Sequence, residues 1–350
     1  MGSKLWSNCS STTINHKHPL FEIVCLTASQ KSVGKRYSEA TKWYPNFLGK
    51  GIPEEVGNMT VVDTNLNAIE KANVEIAFSA LPADISKETE PEFARAGITI
   101  VSKSNVFRLD PHVPLLVPEI NPNHLELLKV QKKAKNWRGC IVADPNCTTT
   151  GLVLSLKPIL DFAGIKRVFV ATMQAVSGAG YLGVSPIAIN GNVLPYIHGE
   201  EEKTQNETLK ILGRFEGDKV EPLNIKVSSI CNRVNVDYGH IEDVFIETEK
   251  PCAPEEVKEV LRKFRGAPQE LNLHSAPEHP IVVRDEEDRP QPKLDVNEGK
   301  GMSVVVGRVR RDPAFENGVK YTLLVHNTVR GGAGMAVLNA ELLARKGLLN

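Results

Sequence analysis

Short apolar runs alternate with amphipathic stretches through the first part of the chain. Phe21–Leu26 (FEIVCL) and Val74–Phe78 (VEIAF) read as buried strands. The first runs into a polar loop at 27–35 (TASQKSVGK), the second into the small turn Ser79-Ala80-Leu81-Pro82. Glu90–Ala96 predicts a short helix with Pro91 in its first turn, and Ile98–Val101 a third strand. Prolines at 111, 114, 118 and 122 mark an extended crossing segment. His124–Lys135 has the spacing of an amphipathic helix, and Gly139–Ala143 that of another strand. Strand, loop and helix in alternation imply a parallel sheet with crossover helices, a Rossmann-like α/β domain.

The pattern changes after Cys147. Thr149–Leu160 predicts a helix stopped by Gly164, and helices are also expected over Glu200–Leu212 and Pro254–Lys263. Between them Arg167–Ala175, Asn224–Ile230, His240–Glu249, Ser303–Arg310 and Tyr321–His326 alternate as strands. Strands with few intervening helices imply an α+β domain on a largely antiparallel sheet. Gly334–Leu349, rich in Ala and Leu, predicts a terminal helix packed back on the first domain. The expected division is 1–146 with 331–350 as one domain and 147–330 as the other.

Composition narrows the function classes. A chain of 350 residues is long for a single core. Lys plus Arg equals Asp plus Glu, 42 against 42, so no basic surplus argues for nucleic acid or an anionic membrane. No apolar run approaches the roughly 20 residues of a membrane span. The six cysteines at 9, 25, 140, 147, 231 and 252 form no CxxC pair, so neither a metal site nor a disulfide framework is expected. A reducing, cytoplasmic setting is the simple reading. The acid-free, Ser/Thr-rich start has only a faint transit-peptide character.

Three motifs carry chemistry. In Asp144-Pro145-Asn146-Cys147-Thr148-Thr149, a thiol follows a strand and opens a helix, where the positive helix end is expected to lower its pKa. The alternative is a packing cysteine beside a helix cap. In the stretch Cys231–His240 (CNRVNVDYGH), Arg233 offers a two-pronged carboxylate clamp and His240 an acid/base for a thiolate. A surface ion pair and a turn-capping His are the bland readings. In GEEEK, Glu200 and Lys203 share a helix face, able to hold a cation and an anion, or to form a solvated helix start. Gly178-Ala179-Gly180-Tyr181-Leu182-Gly183 matches GxGxxG, but Pro186 follows where a helix should open, so it is not read as a dinucleotide fingerprint.

Together these motifs, with FSALPADI, FRLDPHVPLLVPEIN, MQAVSGAG, VRDEEDRPQPKLD and HNTVRGGAGMAVLNAELL, resemble the aspartate-semialdehyde dehydrogenases of the archaeal and fungal branch, from about His18 to the C-terminus. The resemblance implies NADPH-dependent reductive dephosphorylation of aspartyl phosphate, with Cys147 as nucleophile and His240 as acid/base. It implies Gln174, Arg233 and Glu200 as partners of the substrate, and Arg108 with Lys203 as the phosphate pair. Thr27, Ser29, Ser32, Lys35, Ser79, Leu81, Ser177, Gly178 and Asn327 are implied as NADP contacts, and a homodimer or homotetramer as the assembly. The glutamate of GEEEK disfavours an N-acetylglutamyl-phosphate reductase, whose acylated amine gives Glu200 no cation. One departure stands out. The family's first strand and GATGxVG loop have no counterpart in MGSKLWSNCSSTTINHK, so the first strand is expected to be missing. A catalytically impaired member or a binding subunit is therefore the second reading.

Overall fold

The computed structural model describes residues 4–5, 17–41, 51–180 and 183–349. Its first sheet is built from β1 (Lys4–Leu5), β4 (Ile76–Ser79), β5 (Thr99–Ser102) and β6 (Cys140–Ala143), all parallel and in that order. Beside it β2 (Leu26–Ala28) and β3 (Val61–Asp63) form a separate parallel pair. β4, β5 and β6 are buried along their whole length, as strands covered on both faces must be. The position left open in the sequence analysis is occupied by Lys4–Leu5, which pairs with Ala77 and Phe78 over two residues. The expected absence of a glycine loop concerns residues 1–17, of which 1–3 and 6–16 lie outside the described residues.

Two expectations in this region need correction. The ladder begins at Leu26 rather than Phe21, because its partner β3 reaches only Leu26, Thr27 and Ala28. The helix expected at Glu90–Ala96 runs from Ala83 to Ala96 (α2, after α1 at Leu66–Lys71), so Pro91 lies inside it, not in its first turn. Its buried face carries Ser86, Glu90, Phe93 and Ala94. Half of that face is polar, which hides it from a search for apolar periodicity. Glu90 is buried because the hydroxyls of Ser79, Ser86 and Ser102 donate to one carboxylate oxygen at 2.5–2.9 Å.

α3 (Leu127–Lys135) leads into β6, and α4 (Cys147–Ala163) leaves it. α4 is buried on nearly all sides and packs against a second, six-stranded sheet. The second sheet uses β7 (Ile165–Gln174), β10 (Lys226–Arg233), β11 (His240–Thr248), β12 (Ile281–Val283), β13 (Val304–Asp312) and β14 (Gly318–Val325). Its order is β10-β7-β11-β14-β13-β12, with β7 to β13 antiparallel and the two outer pairs parallel. α5 (Glu200–Ile211) and α6 (Pro254–Lys263) lie between these strands in sequence, and β8 (Arg214–Phe215) with β9 (Val220–Glu221) makes a small hairpin. The last helix, α7 (Gly334–Arg345), is buried through Leu343 and packs with Phe78, Val101 and Val142 of the first sheet in one apolar cluster. Among the described residues no helix is long and apolar enough to cross a membrane, and no group of three His, Cys, Asp or Glu is placed to hold a metal ion.

Candidate active site

Two local structures bring Cys147 and His240 together. β6 ends at Ala143, Pro145 stops the strand, and Asn146 caps α4 by accepting N–H bonds from Thr148 (2.8 Å) and Thr149 (3.3 Å). Cys147 is thereby the first residue of the helix. His240 is the first residue of β11 and fully buried. Its Nε2 lies 3.3 Å from Cys147 Sγ. The Ala175 N–H donates to Nδ1 at 3.1 Å, so the neutral ring carries its proton on Nε2, facing the sulfur.

Strand alternation assembles the rest. Arg233 ends β10 opposite Gln174, which ends β7 beside the start of β11. These two side chains and that of His240 point to the face covered by α4 and α5. Arg233 donates from Nη1 to the Ala175 carbonyl (2.7 Å), and Gln174 donates to Thr172 Oγ1 (3.3 Å). Glu200, the first residue of α5, accepts from Asn146 Nδ2 at 2.9 Å, with Lys203 Nζ 3.8 Å from its other oxygen. One rung deeper, Cys231 and Glu242 both face Thr172.

A groove of about 280 Å³ opens from Cys147 along the C-terminal ends of β4 and β5. Ser79, Lys103, Arg108, Asn146, Ser177, Gly178, Asn327 and Gly331–Gly332 line it. Its walls come close to the thiol because they are glycine: a Cβ on Gly331 would sit 2.4 Å from Cys147 Cβ, and one on Gly178 would sit 2.7 Å from Arg233 Nη1. Asn327 clamps the rim, donating to Ser177 Oγ and accepting from the Gly239 N–H, both at 2.9 Å. Ser177 and Gly178 belong to a 3-10 turn at Val176–Ala179. Of the other residues implied as cofactor contacts, all but Ser79 lie outside this groove. Thr27 is buried and accepts from Thr64 Oγ1 (3.1 Å), Leu81 shares a small apolar cavity with it, and Ser29, Ser32 and Lys35 stand in the turn after β2. The Ser79 hydroxyl is committed to Glu90.

Charge in the site departs from expectation at Cys147. Burial, reinforced by Glu200, pushes the thiol up to about 12, against the opposing pull of Lys103. The helix end is expected to lower it, but desolvation outweighs that effect in the closed protein environment. Burial, with help from Arg233 and His326, lowers His240 to about 3. The resting pair is therefore a neutral thiol and a neutral imidazole. Arg108 donates to Glu207 (2.9 Å), whose second oxygen accepts from the Asn146 N–H (2.7 Å). Lys203 does not line the groove, so the expected phosphate pair is split between two edges of the site. Asn146, Lys103, Glu207 and Glu242 were not singled out from sequence. Asn146 was findable as an N-cap, whereas the others depend on contacts remote in sequence.

Comparison with known proteins follows the same lines. Residues 11–128 match the semialdehyde dehydrogenase NAD binding domain, and residues 156–330 the semialdehyde dehydrogenase dimerisation domain. The aspartate-semialdehyde dehydrogenase of Methanothermobacter thermautotrophicus is 51% identical over 327 residues, covering 93% of this chain and 92% of that protein. That of Schizosaccharomyces pombe is 42% identical over 344 residues, covering 96% and 94%. Among solved structures, aspartate semialdehyde dehydrogenase with NADP from Candida albicans superposes with a TM-score of 0.88 at 36% identity over 100% of both chains. Aspartate semialdehyde dehydrogenase II from Vibrio cholerae gives 0.75 at 28% identity over 98% of each.

Proposed function

The chain belongs to the aspartate-semialdehyde dehydrogenase family, and on that premise we propose that it catalyses the NADPH-dependent reductive dephosphorylation of L-4-aspartyl phosphate to L-aspartate 4-semialdehyde. This reaction belongs to the route to lysine, threonine and methionine. The observation that carries the reading is the 3.3 Å approach of Cys147 Sγ to His240 Nε2 between a buried guanidinium, Arg233, and a buried carboxylate, Glu200. Such a frame suits a zwitterionic amino acid attached to an acyl phosphate.

The residues fit the cofactor. The glycine walls at Gly178 and Gly331–Gly332 leave room for a flat ring against Cys147, with Asn327 and Ser177 at its edge. Hydroxyls and an ammonium at Ser29, Ser32 and Lys35 suit the 2′-phosphate of NADP, and Thr27, Ser79 and Leu81 bridge toward the groove. NADPH, when bound, supplies the hydride.

Arg233 holds the substrate carboxylate and Glu200 its ammonium, while Gln174 orients the acyl group. Arg108 and Lys203 hold the phosphate. Sγ of Cys147 attacks the acyl carbon; the S–C bond forms as the C–O bond to phosphate breaks. The S–H proton leaves with the departing phosphate oxygen, and His240, a donor to the sulfur from Nε2–H at rest, relays protons between sulfur and substrate oxygen. The thiolate departs after reduction. The same reading makes the protein a cytoplasmic homo-oligomer.

The test is turnover of aspartate semialdehyde, phosphate and NADP by the purified chain, followed by NADPH absorbance. Cys147→Ala is expected to lose about three orders of magnitude or more. Wild-type turnover no greater than that of the variant would sink this reading in favour of an impaired member or binding subunit.

A further inference from the structure

We propose that Lys103 is a third cation of the phosphate subsite, taking the anion on the Cys147 side of the groove. The inference rests on the reaction proposed above and adds a residue to it.

Lys103 immediately follows β5. Its N–H donates to the Ser79 carbonyl at 2.8 Å, so its backbone is fixed at the C-terminal edge of the parallel sheet, where α/β proteins leave a crevice for ligands. The side chain crosses that crevice. Nζ lies 3.3 Å from Asp144 Oδ2, 3.2 Å from the Gly331 carbonyl and 3.3 Å from the Gly332 carbonyl. The side chain keeps 22% of its surface exposed, and Lys103 lines the same groove as Cys147, Arg108 and Asn146.

Charge accounting favours an anion there. Arg108 is already answered by Glu207, and its buried Nε has no hydrogen-bond partner among the described residues. Lys203 is turned toward Glu200 on the other edge of the site. Lys103 is paired with Asp144, a fully buried carboxylate that also accepts from Asn339 Nδ2 at 2.6 Å. Asp144 therefore keeps a strong partner when Lys103 turns away. The three contacts of Nζ are long beside the roughly 2.7–2.9 Å of a good charge-assisted bond. A phosphate oxygen can replace one carbonyl contact at small cost, while the remaining contacts keep the ammonium aimed along the wall. Lys103 also heads the influences that oppose burial at Cys147.

The consequence is clearest in the oxidative direction. A phosphate oxygen attacks the acyl carbon of the Cys147 thioester, a C–O bond forms as the C–S bond breaks, and the electron pair returns to Sγ. A cation beside Sγ holds the attacking dianion and steadies the departing thiolate.

The experiment varies inorganic phosphate at saturating aspartate semialdehyde and NADP, comparing wild type with Lys103→Gln and Lys103→Arg. Loss of one charge-assisted contact is expected to raise the phosphate KM roughly tenfold or more in Lys103→Gln, with the KM values of NADP and aldehyde within about twofold and most of the loss restored by arginine. A uniform fall in kcat with an unchanged phosphate KM would mean that Lys103 only neutralises Asp144, and overturns the proposal. A rise in the NADP KM instead would assign Lys103 to the cofactor and also overturns it. Acetylation of Lys103 in the wild-type chain, read by mass spectrometry with and without inorganic phosphate, decides the matter if the variants fail to fold or the enzyme proves inactive. Protection by phosphate supports the proposal, and equal labelling refutes it. Wild-type inactivity alone counts against the reaction, not against this site.

Discussion

His240 is held through the nitrogen that does not face the sulfur. The Ala175 N–H fixes Nδ1 as an acceptor, so the proton waits on Nε2, 3.3 Å from Cys147 Sγ. The resting ring thus meets the sulfur as a hydrogen-bond donor, which steadies negative charge on Sγ. Behind it lies Glu242, two residues along β11 on the same face, with neither carboxylate oxygen hydrogen-bonded among the described residues. Burial, and then Glu200, raises its pKa well above the ordinary value of 4.5. The native protein therefore keeps this proton at pH values where the unfolded chain has lost it. That advantage is complete below the unfolded pKa and is lost as pH rises toward the folded one. Glutamine has no proton to lose, so Glu242→Gln should gain stability relative to wild type by up to about 1.4 kcal/mol per pH unit between roughly pH 5 and 8. Urea midpoints measured across that range check it, and a difference independent of pH would show that Glu242 is ionised in the fold. Sequence singled out Cys147, Arg233 and His240 because each ends or begins a patterned element. It passed over Glu242 because a Glu in an alternating strand reads as solvent-facing, and only the covering helix α4 reverses that.

At the scale of elements, legibility followed the apolar pattern and failed where polar groups are buried. α4, α7 and the strands β4 to β6 were recognisable from their sequences, with ends shifted by a few residues. α2 was cut short because Ser86 and Glu90 satisfy each other and Ser79 and Ser102 across two strands. β3 and β12, three residues each, carry too little pattern to be read alone. A second buried polar link joins the crossing segment before α3 to the turn before α7. Arg330 Nη2 lies 2.6 Å from Glu119 Oε2, and both side chains are wholly buried. The turn it anchors includes Gly331, packed against Cys147. Removing one partner strands a charge, so Arg330→Met alone should destabilise the fold by about 3–5 kcal/mol, and Glu119→Leu added to it should recover most of that. Urea unfolding of the single and double variants tests the pair. Equal losses in both would mean that packing volume, not the uncompensated carboxylate, sets the cost.

Over the whole molecule, one sheet supports two jobs. Strand alternation sends Gln174, Arg233 and His240 to the inner face, and the intervening residues Met173, Asn232 and Ile241 to the outer one. That outer face continues through Ala171, Phe169, Phe245 and Ile230. Phe169 is 43% exposed and stacks on Phe315, and Ile230 is 58% exposed. Contiguous apolar side chains on an open sheet face mark an interaction surface, and they fall within the match to the dimerisation domain. A second copy of the chain is the partner this reading requires. Because the same three strands carry the site on their reverse, loss of the partner should reach the chemistry through strand positions rather than through any contact with substrate. Ile230→Glu combined with Phe169→Glu places two carboxylates per subunit in the patch, where pairing would desolvate them at a cost of several kcal/mol each. The variant should run at monomer mass in light scattering at concentrations where wild type is an oligomer, with its folded spectrum intact and its turnover lowered. An unchanged oligomeric mass would place the interface elsewhere, and full activity in the monomer would separate the two faces of the sheet.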